Sequence, residues 1–276
     1  MEQVAVKNNV DALLAEGDRL YASGTLAAAV GAYESAVVMN PESAEAQFKL
    51  GRGYASLNLP DLAEKNYRKA LALHPGHAQA ANNLGVIAFD RRAFAEAEQL
   101  YRKALAERID YFEAHLNLGQ VLVKAERLVE ARYHLGRACE LAPQSSLAAE
   151  LLGKVLLLSG EISKAMQSLE RALAIDGQLA NPWALLGVCR LRQGDFAGAE
   201  KAYQESLRRS PTHSYAWHSY LLMTNYACRD KDEIYALHRA FGEAMTGEKS
   251  GLPFRNRPDP GRRLRIGFVS ADLRFH

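Results

Sequence analysis

Small and apolar side chains recur along this chain with a period of 34 residues, and the recurrence dictates the elements. Six units in register begin at Val10, Ala44, Ala78, Phe112, Ser146 and Ala180. Position eight of each is glycine (Gly17, Gly51, Gly85, Gly119, Gly153, Gly187), and position twenty is alanine (Ala29, Ala63, Ala97, Ala131, Ala165, Ala199). Position twenty-four is large and apolar (Tyr33, Tyr67, Tyr101, Leu135, Leu169, Tyr203), and position twenty-seven is alanine in five units and Ser206 in the sixth. Such a pattern predicts two antiparallel helices per unit, A and B. Gly and Ala let the two backbones approach, and the large residue fills the adjoining hole. Helix A is predicted to end near Gly24, Gly160 and Gly194, and helix B at Pro41, Pro75, Pro143 and Pro211; Pro60 fits the first turn of a B helix.

After Pro211 the pattern decays. Residues 214–225 still read as an A helix with Trp217 at position four, as Trp183 is in the sixth unit, but no alanine follows at position twenty. An amphipathic helix through about Met245 is predicted from Ile234, Leu237, Phe241 and Met245. Pro253, Pro258 and Pro260 then argue against regular structure, and Leu264 to Ser270 has the branched and aromatic content of a buried strand. A lone strand leaves its backbone groups unpaired, so the expectation is that a second domain opens here and that the sequence is the amino-terminal portion of something longer. The expected organisation is a lead-in over 1–9, six repeats over 10–213, an atypical seventh repeat or cap over 214–247, a linker over 248–263 and the truncated start of another domain over 264–276.

The repeat columns resemble the tetratricopeptide repeat. The resemblance implies an all-α, right-handed superhelical solenoid whose A helices line the concave surface, a groove for a protein or extended peptide. The sixth position of helix A then points inward: Ala15, Lys49, Asn83, Asn117, Leu151 and Leu185. Asn83 and Asn117 are the candidate substrate-binding residues, because an amide can donate and accept at once and so match an extended backbone. Arg52, Asp90, Gln120, Lys124, Lys154 and Arg192 are further inward candidates.

The tail carries a second resemblance. Asn225-Tyr226, His238 to Glu243, Asn256 to Pro260 and Arg263 to His276 are similar, in kind and order, to the passage from repeats into the catalytic region of the protein O-linked N-acetylglucosamine transferase and SPINDLY family. That resemblance implies a Rossmann-like transferase using a nucleotide sugar, commonly UDP-N-acetylglucosamine, on Ser or Thr hydroxyls of proteins. His276 matches the family's active-site histidine, a catalytic candidate in an incomplete site. The 276 residues alone are expected to bind acceptors without catalysis and without a cofactor or metal. A free-standing repeat adaptor is the alternative.

Composition narrows the classes. Formal net charge is +2, which offers no phosphate-neutralising surface for nucleic acid, and no apolar run approaches a membrane span. Cys139, Cys189 and Cys228 lack metal-ligand spacing and read as buried reduced thiols, which points to a reducing, cytoplasmic compartment. His74 and His77 flank a Pro-Gly turn without further ligands beside them.

Overall fold

The computed structural model describes residues 2–227 and 230–246. The chain divides into two compact units, 1–228 and 229–276. The first holds thirteen helices among the described residues: α1 (Glu2–Ala22), α2 (Leu26–Met39), α3 (Ala44–Ser56), α4 (Pro60–Leu73), α5 (Ala78–Asp90), α6 (Phe94–Glu107), α7 (Phe112–Lys124), α8 (Leu128–Leu141), α9 (Ser146–Leu158), α10 (Ile162–Ile175), α11 (Ala180–Arg192), α12 (Phe196–Arg209) and α13 (Ser214–Tyr226). In the second, α14 (Lys231–Thr246) carries the predicted apolar spacing. No helix among the described residues is long and apolar enough to cross a membrane. The linker expected over 248–263, the strand expected from Leu264 to Ser270, the second-domain start expected over 264–276, His276 and Cys228 lie outside the described residues.

Each odd-numbered helix from α1 to α11 packs on the next as an A/B pair, and each B helix packs on the following A helix. The column residues make that seam. The alanines at position twenty and the large residues at position twenty-four are all buried, with at most 1% of their surface exposed. Glycine at position eight lies against the position-twenty-four side chain: a Cβ on Gly85 would fall 2.6 Å from Tyr101 Cε1. Helix α1 begins at Glu2, so residues 2–9 run on into the first repeat's A helix. Glu16, which stands in the leucine column, is exposed and paired with Arg19.

Every turn from A to B is closed identically. The position-sixteen N–H bonds the position-eleven carbonyl and the position-fifteen N–H bonds the position-twelve carbonyl, as in Arg127 to Leu122 (2.9 Å) and Glu126 to Val123 (3.1 Å). This double bond requires a left-handed residue at position fifteen. Gly24, Gly160 and Gly194 supply it at φ near +80°, as their type predicts, but Asn58, Arg92 and Glu126 adopt φ of 59°, 61° and 58° in the other three units. Tertiary stacking imposes there a conformation that costs a β-carbon residue about 1 kcal/mol or more. Glu126→Gly is therefore expected to raise the urea midpoint by the equivalent of about 0.5–1 kcal/mol. A midpoint at or below the parent's would show that Glu126 is unstrained.

The opposite turn, from B to the next A, is closed by side chains. Ser43, His77, Ser145 and His213 cap the following A helix by accepting from its third backbone N–H. Position four then reaches back to the carbonyl at position thirty-two of the preceding unit: Gln47 Nε2 to Pro41 O (3.2 Å), His115 Nε2 to Ile109 O (2.9 Å) and Trp217 Nε1 to Pro211 O (2.7 Å). In the sixth unit Arg209 takes this role, donating to Gly177 O (2.6 Å) with its guanidinium over the Trp183 ring. His77 is thus a cap, its ring 6.0 Å from that of His74. Cys139 and Cys189 are buried free thiols whose pKa values burial pushes up, that of Cys189 to about 11.

Candidate functional site

Successive A helices touch at α1 with α3, α5 with α7, α7 with α9, α9 with α11 and α11 with α13, and residues of α3 and α5 line a common cavity, so the A helices share one face. Two cavities open on it. One, about 370 Å³, lies between α3, α5 and the start of α4, lined by Arg52, Ser56, Tyr67, Asn83, Val86 and Asp90 among others. The other, about 240 Å³, lies between α9, α11 and α13, lined by Lys154, Leu157, Leu158, Asn181, Leu185, Val188, Arg192 and Tyr215. Six residues picked from register as inward-facing, Arg52, Asn83, Asp90, Lys154, Leu185 and Arg192, are thus brought into cavities. Gln120, Lys124 and Asn117 line neither of these two.

The first cavity's floor is Tyr67, the large residue of its repeat. Burial pushes its phenol up to about 12, so the hydroxyl stays a neutral donor, and it accepts from Asn83 Nδ2 at 3.3 Å. Asn83 Oδ1 accepts from Asn82 Nδ2 (3.2 Å), and Asn82 Oδ1 accepts from Asn117 Nδ2 (3.1 Å). Asn83 and Asn117 are therefore joined through Asn82, a buried amide at position five that the register argument passed over. The adjacent pair Asn82-Asn83 was the available signal. This Asn117–Asn82–Asn83–Tyr67 line holds the amide planes fixed and leaves each outer amide with spare hydrogen-bonding capacity.

Arg52 closes one wall. Its NH2 donates to Asp18 Oδ1 (3.0 Å) and to the Tyr33 hydroxyl (3.2 Å), and its guanidinium lies 4.4 Å from the centre of the Tyr21 ring. Its buried Nε–H has no acceptor among the described residues. Lys49, which stands in the asparagine column, also donates to Asp18, at 2.7 Å. Burial would raise the Asp18 pKa, but hydrogen bonds from Lys49 and Tyr33 and the charges of Lys49 and Arg52 hold it below the usual carboxylate range. Lys49 is thereby committed to the scaffold.

Tetratricopeptide repeat profiles match residues 14–64 and 48–111, and, by a second profile of the same description, 88–155 and 156–220. The chain belongs to the tetratricopeptide repeat family. No curated protein matches it. Among solved structures it is similar to YrrB, described as a TPR protein with an unusual peptide-binding site, at 25% identity over 68% of this chain and 96% of that one, TM-score 0.61. It also shares its fold with PilF of Pseudomonas aeruginosa (21% identity, 80% and 99% covered, TM-score 0.69) and with the type IV pilus biogenesis factor PilW (21%, 76% and 97%, 0.64). The tetratricopeptide repeat assignment ends at residue 220, inside α13.

Proposed function

We propose that the tetratricopeptide repeats of this chain bind an extended segment of a partner protein along the A-helix face, acting as an adaptor. The observation that carries the reading is the fixed amide line from Asn117 to Tyr67 opening into the Arg52–Asp90 cavity. An extended backbone alternates donors and acceptors, and a row of amides meets both whatever the side chains. YrrB, with its peptide-binding site, supports the same reading.

The test is a selection of displayed twelve-residue segments on the full chain, followed by titration of a selected segment against Asn83→Ala/Asn117→Ala. Two lost hydrogen bonds of about 1 kcal/mol each give an expected ten- to thirtyfold loss of affinity, with the melting temperature checked to exclude misfolding. Unchanged affinity would remove the asparagines from the site.

A second reading makes this the acceptor-selecting region of a protein O-glycosyltransferase. The resemblance of Arg263 to His276 to that family's catalytic opening supports it. The residues that would meet a nucleotide sugar, His276 among them, lie outside the described ones, so no catalytic step is derived. Reading the gene beyond His276 decides this point: a further α/β domain supports the transferase and an immediate stop codon overturns it.

A further inference from the structure

We infer that the cavity between α9, α11 and α13 reads an acidic residue beside a large apolar one in the bound segment, an inference that rests on the peptide-binding reading above. The two cavities occupy the same register three repeats apart. Arg52 corresponds to Lys154, Ala55 to Leu157, Ser56 to Leu158, Asn83 to Leu185, Val86 to Val188 and Asp90 to Arg192, each pair separated by 102 residues. One lane therefore runs down the A helices and changes chemistry along its length. At the α3–α5 end it is polar and carries charges of both signs. At the α9–α13 end the amide and hydroxyl are replaced by leucines, and the acid by an arginine.

The cations at this second end are uncommitted. Lys154 makes no hydrogen bond or ion pair among the described residues, in contrast to Lys49 and Arg52, which Asp18 holds. Arg192 makes one hydrogen bond, from its NH1 to the Leu157 carbonyl at 3.1 Å, which anchors the guanidinium at the rim without neutralising it. Glu150, one turn before Lys154, is instead engaged by Asn181 Nδ2. Two positive charges, Arg192 anchored and Lys154 free to reach a ligand, thus flank an apolar wall, on which Leu158 and Tyr215 remain nearly half exposed. A side-chain carboxylate next to a leucine- or phenylalanine-sized residue satisfies both features, and an isolated acid or an isolated apolar residue satisfies one. Because the lane continues to the other cavity, the occupant is an internal stretch of chain. Helix spacings of about 10 Å per repeat put the cavities roughly 30 Å apart, or about nine residues of extended chain.

The experiment is the displayed-segment selection with the library held between fixed linkers, so that no free carboxyl terminus is present. It is run on the wild-type chain, on Lys154→Glu/Arg192→Glu and on Lys154→Gln/Arg192→Gln, all checked for unchanged melting. Wild type is expected to enrich Asp or Glu adjacent to Leu, Ile, Phe or Met. The charge-reversed chain is expected to bind those segments at least tenfold more weakly and to enrich Lys or Arg in place of the acid. The glutamine variant, which keeps the fold and hydrogen-bonding capacity, is expected to lose the acidic preference alone. Enriched segments lacking the acidic-apolar pair, or equal binding by the reversed chain, overturn this inference and leave peptide binding standing. No enrichment on any of the three overturns the peptide-binding reading itself.

Discussion

Gly187→Ala is expected to destabilise the repeat stack by about 2 kcal/mol, read as a fall in the urea midpoint by circular dichroism. A Cβ at this position would lie 2.5 Å from Tyr203 Cε1, 2.7 Å from Cδ1 and 2.8 Å from Cζ, and the ring is fully buried. A rigid, fully buried ring stacked near Tyr220 has little room to move aside. Overpacking of this kind costs about 3 kcal/mol, and the gain in helix propensity offsets about 1 of it. Gly119→Ala meets Leu135 Cγ at 2.5 Å and is expected to lose less, about 1 kcal/mol, because a leucine can change rotamer. Gly136→Ala, also inside a helix but with nothing within 4 Å of the new methyl, is expected to stabilise by about 0.5–1 kcal/mol. A Gly187→Ala midpoint at or above the parent's would refute the close-approach account of the glycine column.

Acidification from about pH 7 to about pH 4.5 is expected to cost about 2 kcal/mol through one pair of histidines, His115 buried and His134 partly so. His115 Nε2 lies 2.9 Å from the Ile109 carbonyl, which can only accept, so that nitrogen carries the hydrogen. The neutral ring then accepts at Nδ1, and His134 Nδ1–H donates to it across 2.9 Å. A proton on His115 Nδ1 would set N–H against N–H. Burial first, then His115 and Arg102, push His134 down to about 4 against an opposing Glu130; burial also lowers His115, with Arg137 adding to it and Asp110 and the Ile109 bond opposing. The folded pKa is depressed below the unfolded value of about 6.5, so the stability is complete above that pH and is lost as pH falls toward 4. Full conversion of the shift would exceed 3 kcal/mol, and partial exposure of the pair reduces it to about 2. Most carboxylates held down by partners, such as Glu64 by Arg68 and Arg91, titrate below this window. His134→Gln is expected to flatten the slope between about pH 7 and about pH 5; an unchanged slope would place the acid sensitivity elsewhere.

Local chemistry and periodicity determined by themselves the register of the six repeats, both helices of each, Pro60 in a first turn, the ends at Gly24, Gly160 and Gly194, and the failure of the pattern after Pro211. These follow from residue size and backbone preference, which act within one turn or between two helices a fixed distance apart in sequence. Asn83, Arg52, Asp90, Lys154 and Arg192 could be placed on one face for the same reason. Only the tertiary structure decided what those residues do there. Asp18 engages Lys49 and Arg52 across a repeat boundary and withdraws them, Asn82 joins the two predicted asparagines, stacking drives Asn58, Arg92 and Glu126 into the left-handed region, and Lys154 and Arg192 meet no carboxylate among the described residues. Each depends on which side chain of a neighbouring repeat comes within about 3 Å, and a 34-residue period places the helices without specifying that choice.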